Sequence, residues 1–95
     1  MDSIDLIACG ILWRKTEDPD AGWELIEGLH SPDPELSTVA ESMLVQAGWP
    51  SVGLVERALE LGLLRPSEAG RCMAALFEKA QFSAPPRLTT NFFSN

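Results

Sequence analysis

Four prolines, Pro19, Pro34, Pro50 and Pro66, stand 15, 16 and 16 residues apart. A proline has no backbone N–H and a fixed φ. It therefore suits the first position of a helix, where the N–H has no partner anyway, and it stops a helix arriving from its N-terminal side. Each interval has room for one short helix and one turn, and two intervals make a helical hairpin repeating every 32 residues or so, about the short end of known helical repeats. Asp18 and Asp33 directly precede two of the prolines and can accept hydrogen bonds from the free N–H groups of the first helical turn. The short connections make successive helices antiparallel neighbours. The expected fold is all-α: about five short antiparallel helices in a right-handed stack of helical hairpins, with an extended C-terminal tail.

The apolar periodicity fills these intervals. In the third helix Leu36, Val39, Ala40, Met43, Leu44 and Ala47 form a single stripe, and Glu35, Ser37, Thr38, Glu41, Ser42 and Gln46 lie opposite. Gly48 can take the left-handed conformation that ends it. The first helix, capped by Asp2 or Ser3 and running to about Lys15, places Ile4, Ile7, Ala8 and Ile11 on its expected buried stripe, widened by Leu6, Leu12 and Trp13. The second presents Gly22, Leu25, Ile26 and Leu29 inward, with Trp23, Glu24 and Glu27 lateral or outward. The fourth, Pro50 to Leu63, is apolar on most of its circumference and is expected at the centre, sandwiched between the third and the fifth. The fifth runs from Pro66 to about Ala80 and aligns Ala69, Cys72, Met73, Leu76, Phe77 and Ala80.

Within residues 25–48, Leu25, Ile26, Leu29, Ser31, Pro32, Asp33, Pro34, Leu36, Ala40, Leu44 and Gly48 follow the order of an apolar helix end, an Asp/Pro turn and a second helix with a central alanine. This stretch resembles one HEAT-type repeat of the HEAT and armadillo class of α-helical repeats. It departs from that pattern at Ser37, where an arginine is common. The resemblance implies a scaffold or binding surface and no catalytic chemistry.

Residues 1–81 read as one domain and residues 82–95 as a Pro- and Phe-containing tail. Pro85 and Pro86 forbid helix there, yet Phe82, Leu88, Phe92 and Phe93 are apolar enough to cap the open end of the stack or to dock into another molecule. No stretch approaches the roughly 20 apolar residues needed to span a bilayer, so no membrane partner is expected. Cys9 and Cys72 in a chain without a secretion signal point to a reduced, cytoplasmic setting. Cys72 lies on an apolar stripe, and Cys9 lies beside one. A disulfide between them stays open without geometry.

The net charge is −7, and its distribution carries more information than its sum. Between Thr16 and Glu56 there is no Lys or Arg against nine acidic residues. Such a surface does not displace counterions from phosphates, which excludes a general nucleic-acid binder. His30 has no nucleophile partner at a recognisable spacing and fits the negative end of its helix. There is no Cys/His metal spacing and no phosphate-binding loop, and Glu17, Asp18, Asp20 and Glu24 lack a glycine-turned calcium loop. No enzyme activity, cofactor or metal is therefore expected. The leading expectation is a protein-interaction module whose acidic second and third helices, through Asp20, Trp23, Glu24, Glu27, Glu41 and Trp49, receive a basic protein surface or segment. Trp13 is assigned to the core, while Trp23 and Trp49 suit either the core or an interaction anchor. The alternatives are a self-assembling homo-oligomeric subunit and a small acidic, antitoxin-like inhibitor.

Overall fold

A computed structural model of the chain describes residues 2–83. The helices are α1 (Ser3–Thr16), α2 (Pro19–His30), α3 (Pro34–Ala47), α4 (Pro50–Glu60) and α5 (Pro66–Ser83). The described residues contain no strand.

The local start signals act as expected. Asp2, Asp18 and Asp33 each accept a hydrogen bond of 2.9 Å from the backbone N–H of Asp5, Asp20 and Glu35 respectively. Pro19 and Pro34 then open their helices. α5 uses another device, in which Glu68 reaches back to accept the Arg65 N–H at 2.8 Å, half of a capping box. At the ends, Glu17 (φ 54°) and Gly48 (φ 82°) leave the helical region. The last carbonyls of α3 lack a basic residue of their own helix. Lys79 of α5 donates to the Val45 and Gln46 carbonyls, both at 3.2 Å, and places its charge at the negative end of the α3 dipole.

The close approaches fix how the helices lie. A side chain at Gly28 would meet both Leu6 and Ala40, and one at Gly10 would collide with Met43, so α1 and α3 run side by side in the same direction. Gly22 faces Trp13 and Leu54, which sets α2 antiparallel to α1 and beside α4. Arg71 reaches Glu41, and Lys79 reaches the end of α3, so α5 runs parallel to α3. Helices α1, α3 and α5 thus form one layer and α2 and α4 a second, with α3 touching all four others. This is a stack of antiparallel helical hairpins. Its core holds Leu6, Trp13, Leu25, Ile26, Leu29, Ala40, Leu44, Val55, Leu64, Cys72 and Leu76. Each large aliphatic side chain so buried contributes about 1.5–3 kcal/mol.

One buried hydroxyl ties the layers together. Ser51 is fully buried, receives a hydrogen bond from Trp13 Nε1 at 3.0 Å and donates to the Leu44 carbonyl at 2.6 Å. A single side chain thereby joins α1, α3 and α4 and satisfies the indole N–H of a core tryptophan.

Four expectations are corrected. The buried side of α1 carries Leu6, Gly10 and Trp13, whereas Ile4, Ile7, Ala8 and Ile11 face outward with Leu12. α1 is apolar almost all round, so periodicity alone does not choose its inner side; the choice falls to Gly10, the one position that lets α3 come close. The central helix is α3, not α4, which buries only Ser51, Val55 and Ala58 and leaves Leu59 exposed. α4 also ends at Glu60 rather than Leu63, because Gly62 turns the chain at φ 77°. Finally, α5 continues to Ser83, so the Phe82 backbone belongs to its last turn. Leu88, Phe92 and Phe93 lie outside the described residues, as does the Phe82 side chain.

Candidate protein interface

α2 points its apolar residues into the core because Ala21, Gly22, Leu25, Ile26, Gly28 and Leu29 share one side. The same helical spacing puts Asp20, Glu24 and Glu27 together on the opposite side, where all three are exposed. No ion pair among the described residues involves any of them. The charge of Glu24 is felt on the neighbouring helix. The Cys9 thiol is pushed above its ordinary pKa first by burial and then by Glu24, Asp5 and Asp18.

Next to this acidic row lies a groove of about 310 Å³ lined by Trp23, Ile26, Glu27, His30 and Leu63. Trp23 is half-buried, one side against the core and the other on the groove. Leu63 is brought there by the turn after α4. His30 closes one end, its Nδ1 lying 2.9 Å from Glu68 Oε1. Burial pushes the Glu68 carboxyl up, but the Arg65 backbone N–H and the hydrogen bond and charge of His30 outweigh it, so its pKa falls below the usual value. The arrangement is an apolar slot with a carboxylate rim. Its volume is that of a small binding pocket, about the lower end of the usual range.

The other two residues expected at this surface lie elsewhere. Glu41 is on α3 and pairs with Arg71 of α5 at 2.8 Å, which neutralises its charge locally. Trp49 is 61% exposed, yet its ring meets Phe77 edge-on with centroids 5.6 Å apart. The structure therefore gathers Asp20, Trp23, Glu24 and Glu27 on α2 and separates Glu41 and Trp49 from them. Ile26, His30 and Leu63 join the site without having been singled out for it. Gly62 is the signal that could have placed Leu63, since a turn glycine after an apolar stripe folds the next residue back; the pairing of His30 with Glu68, across 38 residues, leaves no local trace.

Among the described residues, no group of three or more His, Cys, Asp or Glu side chains is placed to hold a metal ion. Both cysteines are free thiols, and burial drives Cys72 up to about 11. No helix of the described residues is long and apolar enough to cross a membrane. Compared with protein families, curated proteins and solved structures, the chain finds no match.

Proposed function

We propose that this protein is a non-enzymatic interaction module that receives a basic, amphipathic segment of a protein partner on the outer side of α2. The observation that carries the proposal is the juxtaposition of unpaired Asp20, Glu24 and Glu27 with the apolar slot of Trp23, Ile26 and Leu63. A segment with one large apolar side chain and lysines or arginines a helical turn away meets both features at once. The apolar anchor supplies most of the affinity, and the carboxylates speed encounter and set orientation. Glu41 and Trp49 are left out of this surface, because their contacts with α5 engage them within the chain. The HEAT-like architecture remains part of the proposal as a scaffold for this surface, and the two free thiols favour a reducing, cytoplasmic setting.

The test is titration with a helical peptide carrying one tryptophan or leucine anchor and lysines spaced by a turn, against the same peptide with glutamates in their place. Binding of the lysine peptide is expected to weaken as salt rises. The D20K/E24K/E27K variant, changed only at exposed positions, is expected to lose at least about tenfold in affinity while keeping its fold. Equal affinity of wild type and variant, or equal binding of the two peptides, contradicts the proposal.

A further inference from the structure

α1 is buried only on the side bearing Leu6, Gly10 and Trp13. Its outer side shows Ile4 at 74% exposure, with Ile7 at 42%, Ile11 at 43% and Leu12 at 48%. Positions 4, 7 and 11 have the alternating three-and-four spacing of a helix-pairing seam. A helix apolar on both sides is normally covered on both, and a contiguous exposed apolar patch marks an interaction surface.

Beside the seam runs a groove of about 240 Å³ between α1 and α3, lined by Ile7, Gly10, Ile11, Arg14, Met43 and Gln46. A protruding isoleucine therefore stands on the same surface as a groove about two turns further along the helix. A patch that carries both knob and hole is self-complementary under a two-fold axis. We propose that the chain pairs with a second copy of itself through this face, the two α1 helices lying antiparallel about an axis near Ile7 and Ala8. Ile4 of one protomer then meets Ile11 and the groove of the other.

Charge selects both the occupant and the direction. Asp2 and Asp5 stand at the start of α1 and Arg14 and Lys15 at its end. Antiparallel pairing brings each basic end to an acidic end, whereas parallel pairing sets like against like. The acidic side of α2 repels its own copy. α1, whose charges balance, is free of that penalty. The pairing face is separate from the α2 groove, so each proposal stands or falls without the other.

Sedimentation of the full chain over increasing concentration tests the pairing. The mass is expected to rise from one chain to two and no further. Ile7→Glu alters an exposed position, so circular dichroism and urea unfolding should match wild type. Because both protomers change, self-association should weaken by at least about a hundredfold. At low salt, Asp5→Lys and the double change R14E/K15E should each weaken pairing alone, while an equal mixture of the two pairs more tightly than either. Arg14 and Lys15 of one chain then meet Asp2 and Asp5 of the other, and at the opposite end the introduced lysine offsets the repulsion of Asp2 from the introduced glutamates. A one-chain mass at every concentration overturns the proposal. So does an Ile7→Glu variant that pairs like wild type, or a mixture no tighter than its components.

Discussion

At the scale of single residues, two side chains carry more of the structure than their size suggests. Ser51 is the one buried polar residue among the described residues, and it serves Trp13 and the Leu44 carbonyl together. Removing its hydroxyl strands the Trp13 indole N–H in the core. Ser51→Ala should therefore cost about 1–3 kcal/mol in urea denaturation. The cost should shrink when Trp13 is already Phe, because the stranded donor is then gone. A Ser51→Ala cost unchanged by that background contradicts the link. Glu68 is the second case. Its folded pKa lies below its unfolded value, so the unfolded chain takes up the proton more readily. The stability it contributes is present in full above the ordinary glutamate value of 4.5 and is lost as pH falls through the lower folded one. Glu68→Gln should be less stable than wild type at neutral pH, and the gap should close on acidification through that range. A gap independent of pH would show that the charge is not what matters.

At the scale of elements, glycine placement decides which helices meet. Gly10 sits where a Cβ would strike Met43, while Gly70, in the second turn of α5, has open space around it. Alanine favours a helix over glycine by about 1 kcal/mol. Gly70→Ala should thus raise stability by about that amount, while Gly10→Ala should lower it despite the better propensity, because Met43 must move from its seat between α1 and α3. Thermal or urea unfolding of the two variants reads both signs, and stabilisation by Gly10→Ala would contradict the close α1–α3 contact. The same contrast explains what was legible in the sequence. The caps at Asp2, Asp18 and Asp33 and the starts at Pro19 and Pro34 are local matters of donors and acceptors, and neighbouring residues reveal them. The stripes of α2 and α3 were legible because each has a polar side to contrast with. So was that of α5 over Ala69, Cys72, Met73 and Leu76, but Phe77, expected on it, is 45% exposed and meets Trp49 instead. α1 lacks that contrast, so Ile4, Ile7 and Ile11 resembled a core face. α4 looked central for the same reason, although its Leu59 is exposed and its Gly62 belongs to the turn. The acidic row on α2 could be read from its spacing. The removal of Glu41 from that surface could not, because Arg71 lies 30 residues away.

At the scale of the whole molecule, two surfaces of different character sit on one small stack. The outer side of α2 combines unpaired carboxylates with an apolar slot, and the outer side of α1 is apolar with balanced charge. A hairpin stack produces this division naturally, since each terminal or outward helix face needs only one covered side and leaves the other to composition. The lysine-bearing peptide and the α2 side can be examined together most directly by recording backbone amide spectra of the isotope-labelled chain as the peptide is added. The expected result is a set of shifts concentrated at Asp20, Trp23, Glu24, Glu27, His30 and Leu63, with α1 and the Glu41–Arg71 pair unmoved. Shifts centred on α1, or on Glu41 and Trp49, or no shifts at peptide excess, would contradict the placement of the partner on α2.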